Sequence, residues 1–248
     1  MLFTTDTTTD GVRERHFTLD DVPGVLWTPA GATGSRPLVL LAHGGGQHKT
    51  FIGVTTRANR YVSAHGFAVA ALDAPQHGDR PLEGRDERFA AIRQSVAAGE
   101  PFGPHIVRYN TELSARAVPE WRATIDALQH LQDIGPGAPV GFWGVSMGCA
   151  IGIRLAAVEP RISAVVVGLA GLDDLAEAAA QVRVPVEFLL QWDDEVFPRE
   201  SGLALFDAFA SAEKTLHANP GRHQGVPAFE MDSAERFFAR HLVGGDPR

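Results

Sequence analysis

The sequence predicts an α/β fold: a mostly parallel sheet with helices on both faces. Three observations carry this. Short apolar runs at 38–42, 67–72, 140–145, 162–169 and 184–191 show little polar alternation, the pattern of strands buried on both sides. Amphipathic stretches of helical length separate most of them, which is the rhythm of strand–helix–strand crossovers. The right-handed crossover rule then restricts the topology to doubly wound forms.

Each element follows in order. Residues 13–19 and 22–27 read as two opening strands joined by a turn at Asp20-Asp21, and 31–36 as a small-residue loop. Pro37 introduces the strand at 38–42. Residues 49–64 read as a helix ending near His65-Gly66. The segment 82–118 follows the strand at 67–72 and breaks the rhythm. It has helix-like stretches around Gly99, Pro101, Gly103 and Pro104 and no strand. It is expected to be an insertion forming a partial lid over the strand ends, with a surface excursion away from the site as the alternative. Gly135-Pro136-Gly137 leads into the strand at 140–145, and a helix over 146–158 stops at Pro160. Then come the strand at 162–169, a helix over 172–181, the strand at 184–191 and a proline-opened helix over 198–210. A short strand at 215–218 and a closing helix over 233–242 complete the series. No repeat or linker divides the chain, so one domain spanning 1–248 is expected.

Bulk properties exclude several function classes. The chain has 248 residues, 44% hydrophobic and 21% charged, the profile of a soluble globular protein with one sizeable core. Its formal net charge of -8 argues against nucleic acid as a partner, because phosphate binding needs a basic patch. No apolar run approaches the ~18 residues of a membrane span. The N-terminus lacks a basic start followed by an apolar run, so no signal peptide is expected. Cys149 is the sole cysteine, which forbids an internal disulfide and suits a reducing, cytoplasmic setting. The chain is expected to be a monomer or homodimer, and these bulk numbers say nothing sharper about a small-molecule partner.

The chemistry concentrates at Gly144-Val145-Ser146-Met147-Gly148, a G-x-S-x-G. Alone this pentapeptide is a weak signal. Its setting strengthens it, because it lies where the strand at 140–145 meets the helix at 146–158. A sharp strand-to-helix turn needs small residues beside the serine, and the two glycines provide them. The turn places Ser146 at a helix N-terminus, where free N–H groups favour developing negative charge. A plain helix N-cap serine is the competing reading.

A serine hydroxyl needs a base, and the base needs a carboxylate to hold its tautomer. In a fold of this type the chain order is serine, acid, histidine. His223 lies in the loop Asn219-Pro220-Gly221-Arg222-His223-Gln224-Gly225 after the last strand and is the expected base. His217 is expected to pack within its strand and His241 to lie on the surface. The acid falls among Asp193, Asp194 and Glu195 after the strand at 184–191, with Asp173 or Asp174 as a further option. Successive glycines in His43-Gly44-Gly45-Gly46 let the backbone approach a ligand, so the Gly45 and Met147 N–H groups form the expected oxyanion site. Lys49-Thr50 invites a phosphate-loop reading, but His48 stands where that pattern needs glycine. No His/Cys/Asp/Glu cluster shows metal spacing. Phe89, Phe102, Tyr109 and Trp192 are candidates for an apolar or aromatic-tolerant pocket wall, with packing in the core an equal reading of each.

These residues together resemble the α/β-hydrolase superfamily, in its dienelactone hydrolase and prolyl-oligopeptidase-like serine esterase group. The resemblance rests on His43 to Gly46, on Asp73-Ala74-Pro75-Gln76-His77-Gly78-Asp79-Arg80, on Gly144 to Gly148, on Asp194-Glu195-Val196-Phe197-Pro198 and on His223. It implies an eight-stranded, mostly parallel sheet and hydrolysis of a carboxylic ester by an acyl-enzyme route without a cofactor. A thioesterase, lactonase or acyltransferase would use the same triad. The family's acid stands four residues before the proline of a D-x-x-V-P-like run, which selects Asp194. The chain departs from the pattern at Phe197, where valine is usual, and at Gln191-Trp192, where a glycine often begins the loop. By the same resemblance Asp73 and His77 hold their loop and take no part in catalysis. Dienelactone hydrolases carry cysteine at the nucleophile position, where this chain has Ser146, so that reaction is not expected. A non-catalytic binding protein would commonly have lost a triad member, and none is missing.

Overall fold

The computed structural model describes residues 1–243, so the expected domain 1–248 runs on into residues 244–248 outside those described. The chain opens antiparallel. β1 (Leu2–Phe3) and β2 (Thr7–Thr9) both pair with β3 (Val12–Leu19), which forms a hairpin with β4 (Val22–Pro29). Asp20 and Asp21 make the turn, both at positive φ (47° and 64°). Two left-handed central residues are what a tight hairpin with right-handed strand twist requires, and aspartate tolerates that region.

The parallel part begins with β5 (Leu38–Ala42), α1 (Ile52–His65) and β6 (Ala68–Leu72). Both strands are buried at every position. Their alternate residues serve opposite faces, as a period of two demands. Leu38 and Leu40 join one apolar cluster, Val39 and Leu41 the other. Two helices follow, α2 (Arg85–Ala97) and α3 (Phe102–Gln129), then β7 (Val140–Val145), α4 (Met147–Val158) and β8 (Ile162–Gly168). A 3-10 turn at Asp173–Leu175 leads into the one-turn α5 (Ala176–Ala179). β9 (Val186–Gln191), α6 (Arg199–Ala208), β10 (Lys214–Asn219) and α7 (Phe229–Leu242) close the fold.

The sheet has ten strands in the order β1-β3-β4-β6-β5-β7-β8-β9-β10, with β2 beside β3. The eight expected strands are all present, and β1 and β2 are short additions at one edge. β6, β5, β7, β8, β9 and β10 run parallel, while β3 and β4 are antiparallel to their neighbours. α1 and α7 cover one face, and α3, α4, α5 and α6 the other.

Two expectations need correction. The segment 82–118 does not end at 118, because α3 is one 28-residue helix that continues past Pro119. Leu113, Ala117, Trp121, Ile125 and Leu128 form a buried stripe at three- and four-residue spacing, so its second half is a core helix. Trp121 meets Phe142 of β7 edge to face, with ring centroids 6.0 Å apart. That packing offsets the single backbone bond Pro119 removes. The helix expected over 172–181 is shortened: the Ser201 hydroxyl accepts the Leu172 N–H at 3.0 Å and holds the segment's start against α6.

Candidate active site

The strand order reverses at β5, with β6 on one side and β7 on the other. A doubly wound sheet opens a crevice beyond the carboxyl ends of its strands at such a point. The loops after β5 and β7 therefore meet, and Ala42 pairs with Gly144.

Ser146 stands between β7 and α4 with φ 56° and ψ -118°, a conformation no regular element uses. Holding a non-glycine residue there costs of order 1–3 kcal/mol and needs support from the surroundings. The support is close packing. A Cβ on Gly148 would lie 2.7 Å from the Ala42 carbonyl oxygen, and one on Gly144 would lie 2.7 Å from that of Gly148. Only glycine lets the helix start, the strand end and β5 approach this closely. The Ser146 N–H donates to the Gly168 carbonyl at 2.9 Å and ties the turn to β8.

His223 reaches the same place from the loop after β10. Its Nε2 lies 2.9 Å from Ser146 Oγ and its Nδ1 2.7 Å from Asp194 Oδ2. Asp194 is supplied by the loop after β9, the neighbour of β10. Its Oδ1 accepts the N–H groups of Val196 (2.8 Å) and Phe197 (2.9 Å). Burial works to raise the Asp194 pKa, but the His223 bond and the Phe197 and Val196 amides outweigh it and hold the carboxyl below its usual value. Phe197 packs against the His223 ring with centroids 5.8 Å apart.

The other acid candidates lie elsewhere. Asp193 is exposed. Asp174 pairs with Arg154 and accepts from Thr111 of α3. Glu195 braces the histidine from outside: its Oε2 accepts the His223 N–H at 3.0 Å and lies 3.3 Å from Arg222 Nε. That amide, with its own N–H, pulls its pKa down to about 2.

Gly44, Gly45 and Gly46 line the cleft beside Ser146. The Gln47 side chain shapes this loop, its Oε1 accepting the Gly44 N–H at 3.1 Å. Gly45 has open space around its Cα, and neither its N–H nor that of Met147 meets a backbone acceptor outside the helices and strands among the described residues. Met147 is the first residue of α4, so its N–H is an orphan of the helix terminus. Two N–H groups without such an acceptor thus lie in the loops beside Ser146. Gln47 carried no sequence signal beyond its place after the glycines.

The cleft holds about 630 Å³. Its aromatic wall is Phe51 and Trp143. Phe89, Phe102, Tyr109 and Trp192 do not line it, so the pocket reading of these residues falls. Phe89 and Tyr109 pack together between α2 and α3, and Trp192 stacks under Arg199 on the surface. No residue between 82 and 118 lines the cleft among the described residues. The start of α3 instead meets the acid loop, where a Cβ on Gly103 would lie 3.1 Å from the Val196 carbonyl oxygen.

The remaining candidates are held in structural contacts. His43 is buried, donates from Nδ1 to Gly44 O (2.8 Å) and accepts the Ala74 N–H on Nε2 (3.1 Å). Burial lowers its pKa to about 4, so the ring is neutral. Lys49 is buried with its ammonium on Asp73 (2.7 Å) and Asp79 (2.5 Å), which is an internal ion pair in place of a phosphate contact. Cys149 is buried, and desolvation pushes its thiol up to about 12. His217, Glu187 and Glu230 come from β10, β9 and α7 and bring potential ligand atoms within 4.8 Å of one another. Sequence spacing could not show this cluster, since three separate elements supply it. It is largely satisfied internally: His217 and Asn219 donate to Glu230 at 2.7 and 2.8 Å, and Ser233 donates to Glu187 at 3.0 Å.

Comparison with known proteins finds esterases among the chains of similar fold. A cold-adapted esterase from an Arctic intertidal metagenomic library superposes with a TM-score of 0.80 at 33% identity, covering 98% of this chain and 100% of that one. The zinc-bound structure of such an esterase from the same library gives 0.74 at 31% identity, with the same coverage. Acetyl xylan esterase 1 from Thermoanaerobacterium shares the fold, with a TM-score of 0.71 at 17% identity over 95% of this chain and 86% of that one. No curated protein matches the chain. Residues 39–247 match the alpha/beta hydrolase family. The chain belongs to that alpha/beta hydrolase family, in the company of esterases.

Proposed function

We propose that this chain is a serine esterase that cleaves a carboxylic ester through Ser146, His223 and Asp194. One observation carries the reading: an unbroken line of contacts from Ser146 Oγ through His223 Nε2 and Nδ1 to Asp194, at 2.9 and 2.7 Å. Ser146 Oγ attacks the acyl carbon while His223 Nε2 takes its proton. The tetrahedral oxyanion lies against the Gly45 and Met147 N–H groups, a donor set worth roughly 3 kcal/mol per bond elsewhere. His223 returns the proton to the leaving alcohol. Water then attacks the acyl-enzyme with His223 as base, releasing the acid and restoring Ser146. Asp194 stays ionised throughout and holds the Nδ1–H tautomer. The cold-adapted esterase similarity supports the ester class.

The test is Ser146→Ala. Turnover of p-nitrophenyl butyrate and labelling by a fluorophosphonate should both vanish, a loss of about 10⁴-fold or more in kcat. Undiminished activity in the folded variant overturns the proposal.

A further inference from the structure

The triad leaves one wall of the cleft without a role. Arg57 of α1 and Trp143 of β7 form it. The Arg57 guanidinium carbon lies 3.7 Å from the centroid of the Trp143 ring. Its Nη1 donates to the Gly53 carbonyl at 3.1 Å, and its Nε is buried with no hydrogen-bond partner. On the same helix, Arg60 pairs with Asp232 (2.7 Å) and Glu235 (2.6 Å). Arg57 has no such partner among the described residues, and its charged or titratable neighbours are Tyr61 and Arg60. Burial keeps the Tyr61 phenol protonated, so it is no counter-ion. Glu230 also lines the cleft, but both its oxygens are taken, by Asn219 (2.8 Å) and His217 (2.7 Å).

A half-buried cation with no carboxylate beside it has given up part of its hydration, and an arriving anion offsets that cost. A guanidinium held on an aromatic face also presents a planar fork matched to a carboxylate. We infer that Arg57 is an anion-recognition residue, and that the preferred substrate is an ester carrying a carboxylate on the part that lies against α1. This deepens the serine esterase reading and rests on it.

Matched pairs of esters test it. Monoethyl adipate against ethyl hexanoate places the charge on the acyl side; 4-acetoxybenzoate against 4-methylphenyl acetate places it on the alcohol side. In one pair the wild type should favour the anionic member in kcat/KM. Arg57→Met should lower that preference by about 10- to 100-fold, the worth of a charge-assisted bond, chiefly through KM. Arg57→Lys should keep part of it. Absence of any anionic preference in the wild type overturns the inference whether or not Arg57→Met folds, as does a preference that survives in Arg57→Met. A binding measurement separates this from failure of the esterase reading. Benzoate or adipate should raise the Tm of Ser146→Ala but not of Ser146→Ala/Arg57→Lys to the same degree. Equal shifts, or none, count against Arg57 even if every ester is hydrolysed.

Discussion

Two histidines stand at the carboxyl edge of this sheet, each near an aspartate, and they are held in opposite ways. His43, after β5, has both ring nitrogens occupied by backbone, Nδ1 on Gly44 O and Nε2 under the Ala74 N–H. Its neighbour Asp73 is engaged by the Lys49 ammonium and by the Lys49 and Asp79 amides. His223, after β10, has a carboxylate on Nδ1 and a hydroxyl on Nε2. The first arrangement is closed and braces a loop. The second leaves one nitrogen facing a hydroxyl in an open cleft, with a charge behind it to stabilise imidazolium. What separates a structural histidine from a basic one here is the set of partners, since residue type and sheet position are shared.

Variants can break this contrast. The largest effect should come from His223→Ala, with kcat on p-nitrophenyl butyrate falling by about 10⁴-fold or more and the fold retained by circular dichroism. Asp194→Asn should follow at about 10³- to 10⁴-fold, whereas Asp193→Asn should stay within about 3-fold. A matching loss at Asp193 would mean that the acid is misassigned. On the closed side, Lys49→Met should leave Asp73 buried and uncompensated and destabilise by about 3–5 kcal/mol, read from urea denaturation. An unchanged midpoint would show that the Lys49 network contributes nothing.

Acid should act on the closed side too. The His43 pKa falls from 6.5 to about 4 on folding, mainly by burial. The unfolded chain therefore binds the extra proton between these values, and stability attributable to His43 is lost as pH drops from 6.5 toward 4. His43→Gln should flatten that part of the stability profile; an unaltered slope would contradict the buried neutral ring. Glu159 behaves similarly in a lower window. The Arg161 bond overcomes burial and brings its pKa from 4.5 to about 2, so its contribution is present above 4.5 and lost as pH falls toward 2. A modest change is expected at Glu195→Gln, which weakens the brace on the His223 amide and should reduce kcat by less than about 10-fold.

Much of the fold was legible. The strands at 38–42 and 140–145 match residue for residue, because Pro37 and Gly144-Val145-Ser146 punctuate apolar runs that no other element suits. The elbow was legible for a local reason: Gly144 and Gly148 flank Ser146 in the chain itself. His223 needed only the order of loops along the sheet, whereas Asp194 was set apart from Asp193 and Glu195 by resemblance to the family's D-x-x-V-P-like run. Less visible was the run of α3 through Pro119, where packing of Trp121 and Ile125 outweighs one missing hydrogen bond. The sequence left Phe89, Phe102, Tyr109 and Trp192 open between pocket and core, because composition cannot say which face of an element meets the cleft.

Sequence alone determined the class of the sheet, the strained serine turn and the set of residues able to serve it. These depend on local backbone chemistry and on periodicity, which operate over a few neighbouring positions. Tertiary structure alone decided that Gln47 and Glu195 brace the site, and that Arg57 lies without a carboxylate partner among the described residues against Trp143 in the same cleft. Those are contacts between residues distant in the chain, set by which loops the strand order brings together at the carboxyl edge.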